Sequence, residues 1–439
     1  MINDLRASWA LLIGIGFMML GNGLQGTLLG LRATMEGFPT FVTGIMMSGY
    51  FVGIFAGSMI APRLVQRVGH IRVFAALASM ASISILVHGI YVDAVTWTAM
   101  RFMTGLSYAG LYVVTESWLN DRAGNETRGQ VLSVYMVITT LGLGGGQFLL
   151  NLSDPLEVEL FVLVSIIVSF GLIPILLTAR PAPRFESSGT MSLKELYKAS
   201  PLAVISNGLT GAAHGTFFGL GAVYAAQELQ GVEQVSLFMA SFLLGSLIFQ
   251  WPIGWLADQI NRRVTMTGLC ILAIVSCAMA LFVEKGSAQY FIIVVILGGA
   301  AMPMYSLTVA YANDRLEPEQ IVAASGSLVM VAGIGLSTGP ILVSYLMGEF
   351  GNSFFFVGIA LAFAMILGFT AYRMNVTEAV SADDQSPFIA AGVIGTPVAQ
   401  YNAPDAEEYV EALINDELAR LDEDSDSDLD EGELDKYLY

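Results

Sequence analysis

Apolar runs of nearly membrane-spanning length alternate with short polar breaks from Trp9 to Arg373. Twelve such runs fall at residues 9–31, 40–61, 73–92, 95–119, 130–152, 159–179, 200–226, 235–256, 265–284, 288–312, 321–347 and 353–373. A helix rising about 1.5 Å per residue needs roughly 20 apolar residues to cross about 30 Å of hydrocarbon, and each run is near that length. The pattern predicts an all-α polytopic membrane protein. The first run is as long as its neighbours and lacks a small-residue cleavage signature, so it is read as a retained span rather than a signal peptide.

Composition agrees, with 55% hydrophobic and 13% charged residues in 439 positions, too apolar for a soluble chain of this length. Charge then sets the orientation, because cytoplasmic loops collect Lys and Arg. With the N-terminus inside, sixteen of the nineteen basic residues lie on cytoplasmic segments. Arg32 and Lys285 stay outside, and Arg101 falls within a span. Both termini are then cytoplasmic. The formal charge of −18 is concentrated in residues 374–439, where eighteen acids face two bases. Cys270 and Cys277 share one span and read as buried packing residues, not as a disulfide or metal pair.

The chain repeats itself. Gly26-Thr27-Leu28-Leu29-Gly30-Leu31-Arg32-Ala33 matches Gly215-Thr216-Phe217-Phe218-Gly219-Leu220-Gly221-Ala222. Asn120-Asp121-Arg122 recurs as Asn313-Asp314-Arg315, 193 positions on, and the same offset links Gly142 with Gly335 and Gly146 with Gly339. Six spans separate each pair, an even number, so two six-helix repeats enter the membrane in the same direction. The expected domains are a first bundle at 1–179, a basic cytoplasmic linker at 180–199, a second bundle at 200–373 and an acidic cytoplasmic tail at 374–439.

The loops carry a family resemblance. Gly254-Trp255-Leu256-Ala257-Asp258-Gln259-Ile260-Asn261-Arg262-Arg263 resembles the G-x-L-A-D-R-x-G-R-R signature of the major facilitator superfamily. Its first-half relative, Pro62-Arg63-Leu64-Val65-Gln66-Arg67-Val68-Gly69-His70-Ile71-Arg72, departs from that pattern at Pro62 and Gln66. Arg101-Phe102-Met103-Thr104-Gly105 resembles the superfamily's R-x-x-x-G element. The chain looks like a poorly characterised bacterial branch related to drug and metabolite permeases. The resemblance implies twelve transmembrane helices in the major facilitator fold, working by alternating access. The Gly-Pro of the family's antiporter signature is absent from span five, where Gln147 follows Gly146, so that motif gives export by antiport no support.

Intramembrane polar residues are costly and mark candidate sites. Arg101, His214, Asn22, Gln25, Tyr50 and Tyr305 are the substrate or cavity candidates. Asp258, Arg262, Arg263, Arg67, Arg72 and Glu116 are the gating candidates, at the cytoplasmic mouths of the two halves. So few interior charges point to a small neutral, amphipathic or singly anionic solute. With no G-x-x-x-x-G-K-[ST] phosphate loop, a proton or sodium gradient or the solute's own gradient is the expected energy source, and neither a cofactor, a catalytic constellation nor a nucleic-acid partner is expected. In the tail, Asp422, Asp424, Asp426, Asp430 and Glu433 fall at calcium-loop positions, but Ser427 replaces the glycine of the sharp turn. No metal site is therefore expected beyond this calcium candidate. The alternative to a transporter is a transporter-shaped sensor that signals through the tail to a soluble partner.

Overall fold

The computed structural model describes residues 2–122, 127–177 and 191–376 together with the single positions 380, 385 and 388. The linker stretch 178–190, the tail's helix candidate at 406–421 and its calcium-loop residues lie outside the described residues.

The apolar runs become helices. The first half holds α1 (Ile2–Met35), α2 (Thr40–Val68), α3 (His70–Ile90), α4 (Ala94–Arg122), α5 (Arg128–Leu149) and α6 (Glu159–Leu176). A short helix, α7 (Leu193–Ala199), precedes the second half. It starts in a capping box, where the Ser192 side chain accepts from the Glu195 amide and the Glu195 carboxylate accepts from Ser192. Those bonds from Ser192 hold the Glu195 carboxyl below its ordinary range. The second half holds α8 (Pro201–Glu228), α9 (Gly231–Gln259), α10 (Arg262–Phe282), α11 (Ala288–Asn313), α12 (Pro318–Phe350) and α13 (Phe354–Val376).

Ten of these helices are long and apolar enough to cross a membrane by length and composition. The two remaining long helices, α4 and α8, were read above as spans and fall short on composition. The reason is where they sit. Arg101 and Glu116 on α4, and Asn207 and His214 on α8, are all buried among other helices. Protein rather than lipid surrounds these two, so their polar side chains can find partners.

Each half is built on the same crossings. α4 lies on α2 so closely that a Cβ on Gly105 would strike the Tyr50 carbonyl, and one on Gly53 the Phe102 carbonyl. In the second half, Gly298 meets the Phe242 carbonyl and Gly245 the Val295 carbonyl in the same way. α5 approaches α1 through Gly142 and Gly146 as α12 approaches α8 through Gly335 and Gly339. Without a hydrophobic drive between helices in lipid, small residues supply the packing surface.

The G-T-x-x-G-L-x-A match is out of register with this plan. Gly23 meets Leu143 as Gly215 meets Leu336, so Gly215 is the counterpart of Gly23 rather than of Gly26. A slip of three residues is close to one helical turn, which keeps the two copies on a similar face without making them equivalent.

The end of the bundle that holds the first residues of α1 and the last of α13 is here termed the near end, the opposite one the far end. Among the described residues, the contacts found between the halves lie in the middle or at the far end. Gly30 packs on Ala222 and Val223, and Gly44 on Ser344 and Pro340. The Gln227 amide donates to Thr40 Oγ1 at 3.2 Å, and Asn151 to Ser236 Oγ at 3.2 Å. Farther in, Phe55 of α2 meets Gly333 of α12.

Candidate functional site

One face of α4 carries Arg101, Thr104, Tyr108 and Tyr112, spaced so that they stack along a single stripe. The stripe faces α1 and α2. Tyr108 donates to the Met18 carbonyl at 3.1 Å, and the Gln25 amide donates to Thr104 Oγ1 at 3.3 Å. The glycine crossing lets the Tyr50 ring lie against Arg101, with the guanidinium carbon 4.4 Å from the ring centroid. Asn22 of α1 in turn donates to the Tyr50 hydroxyl at 3.0 Å. Asn22, Tyr50 and Arg101 thus form one connected node, with Gln25 beside it.

Arg101 is 3% exposed, yet its Nε and Nη1 have no hydrogen-bond acceptor among the described residues. On α3, the His88 ring bonds through Nδ1 to the Ser84 carbonyl at 2.6 Å, while its Nε2 is likewise without a partner. α1 and α5 are tied together as well, since the Gln147 amide donates to the Gly23 carbonyl at 3.1 Å and Gln147 Oε1 accepts from Thr27. The glutamine that replaces the antiporter proline is therefore an interhelical bolt.

The second half places its candidates differently. His214 is fully buried and bonds through Nε2 to the Ala301 carbonyl of α11 at 2.9 Å. Asn207 donates to the Leu328 carbonyl at 2.6 Å, and Tyr305 is buried one turn beyond Ala301. Around His214 the core is aromatic. Phe217 stacks on Phe242 with centroids 3.6 Å apart and on Phe238 at 5.4 Å, and Tyr224 stacks on Phe355 at 4.7 Å.

At the near end, Arg262 does not bond Asp258. It makes a fork to Asp314, with Nε at 2.5 Å and Nη2 at 3.3 Å, and both side chains are buried. Arg263 donates from Nε to the Tyr311 hydroxyl at 3.2 Å, and Arg315 lies over the same ring at 4.9 Å. Asp258 accepts instead from the backbone amide of Phe388 at 2.7 Å, and the Phe388 ring rests on Gly254. In the first half, Arg67 and Arg72 are exposed, while Glu116 is buried and accepts from the Tyr135 hydroxyl at 3.1 Å. His70 bonds Ser117 Oγ at 3.1 Å and meets the Trp118 ring edge-on at 6.2 Å.

Three partners escaped the sequence reading. Asp314 stood in the repeated Asn-Asp-Arg motif, which was the available signal. Tyr135 and Phe388 had none, because their roles depend on helix rotation and on a return of the chain after α13.

The family model of the Major Facilitator Superfamily matches residues 11–230 and 202–400. The "Uncharacterized MFS-type transporter YcaD" of Escherichia fergusonii is 26% identical over 358 residues, covering 81% of this chain and 92% of that one. The protein of the same description in Salmonella typhimurium is 24% identical over 357 residues, with the same shares covered. Among solved structures, the nucleoside transporter NupG superposes with a TM-score of 0.69 at 14% identity, covering 84% of this chain and 98% of its own. A bacterial homologue of the human lysosomal transporter Spinster, inward-facing and occupied, gives 0.69 at 13% identity, covering 87% and 98%. FucP in the outward conformation gives 0.54 at 16% identity, covering 84% and 99%. With one family model spanning nearly all of the helical core, this multi-pass membrane protein belongs to the Major Facilitator Superfamily and is a transporter of that kind.

Proposed function

We propose that the chain is a secondary active transporter that moves a small neutral, amphipathic or singly anionic solute by alternating access, driven by a proton or sodium gradient. It sits in a bacterial inner membrane with both termini cytoplasmic. The observation that carries this reading is the placement of contacts between the halves. Among the described residues they lie in the middle and at the far end, whereas the arginine latches of the near end are made inside the second half. Among the described residues, α4 and α11, whose near ends would have to approach to close that side, are not a packed pair. Such an arrangement is that of a carrier open to the near, cytoplasmic side and shut on the outside. The better superposition on an inward-facing relative than on an outward one agrees with it, and a fucose:proton symporter sharing the fold agrees with ion coupling.

A far-end crosslink tests the reading. Gly30→Cys with Ala222→Cys places two thiols where the Cβ atoms come within 3.0 Å, and Cys270 and Cys277 are buried away from reagents. Oxidation should lock the protein inward-open and stop solute exchange in proteoliposomes, and reduction should restore it. Full exchange in the crosslinked protein would refute alternation across this contact.

The sensor reading keeps one observation of its own, the Phe388 amide on Asp258, which ties the chain beyond α13 to the signature loop. Deleting residues 376–439 separates the two readings: a sensor loses its output with no transport to lose, whereas a carrier keeps exchange.

A further inference from the structure

We infer that Arg101 is the docking point for a small organic monocarboxylate, whose single negative charge is the counter-ion this half of the protein does not supply. The inference rests on the carrier reading and narrows its substrate class.

Four of the described arginines are buried, Arg32, Arg101, Arg262 and Arg263, and Arg32 and Arg262 are each met by a carboxylate. Arg262, 1% exposed, has its charge matched by the Asp314 carboxylate in fork geometry without any ligand, although its Nη1 makes no hydrogen bond. Arg101, nearly as buried, has no ion pair among the described residues and leaves Nε and Nη1 open. An uncompensated charge at such a position is disfavoured unless something else neutralises it. Two described acids of the first half are engaged elsewhere. Glu36 is held by Arg32 at 2.9 Å, and Asp93 accepts from the Thr96 amide at 2.8 Å. Glu116 lies fifteen residues along the same helix, about 22 Å away at 1.5 Å per residue.

The surroundings suit a ligand better than a structural partner. The Tyr50 ring supports one face of the guanidinium, leaving the nitrogens to be met from elsewhere. Asn22 and Gln25, on the same stretch of α1, place amides beside the charge, and α1 packs on α8 across the divide, as α2 also does. One open cation fits one negative charge. A dianion would keep a charge unpaired, and a neutral solute would leave Arg101 as it is. Carboxylate is the organic anion whose planar oxygens match guanidinium donors.

The test uses the full chain in lipid nanodiscs and matched probes: acetate, hexanoate, decanoate, lactate and benzoate, each against its uncharged amide. At least one carboxylate should raise the melting temperature while its amide does not, and Arg101→Met should abolish that rise. Arg101→Lys should keep the preference for the carboxylate with at least tenfold weaker binding. A second readout separates binding from scaffolding: without ligand, Arg101→Met should melt at or above the parent temperature, because a buried unpaired charge has been removed. A lower melting temperature in unliganded Arg101→Met, equal stabilisation by carboxylate and amide, or no stabilisation by any carboxylate would each overturn the inference. Counterflow in liposomes distinguishes this from failure of the carrier reading. A stabilising carboxylate that is never exchanged would refute transport and leave the anion site standing, whereas exchange of uncharged solutes untouched by Arg101→Met would do the reverse.

Discussion

Where Tyr50 and Arg101 meet beneath the glycine crossing of α2 and α4, the second half carries Phe242 and Val294 beneath the equivalent crossing of α9 and α11. The backbones repeat, and the chemistry does not. In the first half Tyr108 of α4 reaches the α1 carbonyl of Met18, whereas in the second His214 of α8 reaches the α11 carbonyl of Ala301, which occupies the place of Tyr108. One half is joined by hydrogen bonds around a charge, the other by stacked rings. At the near end the polarity is reversed. His70 on Trp118 occupies the positions that Arg263 and Tyr311 hold in the second half, again 193 apart, and the arginine of the Arg262–Asp314 fork is replaced by Gly69 across the repeat, although Asp121 stands at the place of Asp314. On the proposed reading, the difference puts recognition in the middle of the first half and clamping at the near end of the second.

The strongest way to break that division is at the clamp. Asp314→Asn takes the matching carboxylate away from buried Arg262, and the expected loss is about 3–5 kcal/mol, read as a fall in melting temperature in detergent. Phe217→Ala opens the ring stack and should cost about 3–5 kcal/mol by the same assay while leaving the solute preference of exchange unchanged. A changed preference would place recognition in the second half as well. Gly105→Ala and Gly298→Ala, which force the same crossing apart in each half, should each cost about 1–3 kcal/mol. Unequal losses would show that the two crossings are not mechanically alike. Tyr50→Phe removes only the Asn22 bond, about 1 kcal/mol of stability, yet should slow solute exchange severalfold. Asp258→Asn is expected to have the smallest effect on stability, under about 1 kcal/mol, with slower cycling and intact binding.

The fold was legible because lipid demands long apolar helices, and every run of the sequence reading has its helix. α4 and α8 were legible as spans only by length and spacing, since being enclosed by protein freed them from the composition that lipid imposes on the others. The site was partly legible. Arg101 announced itself as a charge in an apolar run, but the ring that covers it depends on how α2 is rotated, which the low-contrast apolar pattern of that helix does not encode. Asp258 and Arg262 looked like partners because they are neighbours in sequence. The turn between α9 and α10 sends them apart, so that Arg262 bonds α11 and Asp258 meets the returning chain at Phe388.

That last bond is made by a backbone amide, and a main-chain donor is present in every residue but one. Side-chain drift at position 388 would change how well the ring covers Gly254 and leave the grip on Asp258 in place. Only proline, which has no amide hydrogen, deletes the donor in a single codon change. Selection on this contact would therefore be visible at position 388 as tolerance of nearly everything and avoidance of proline.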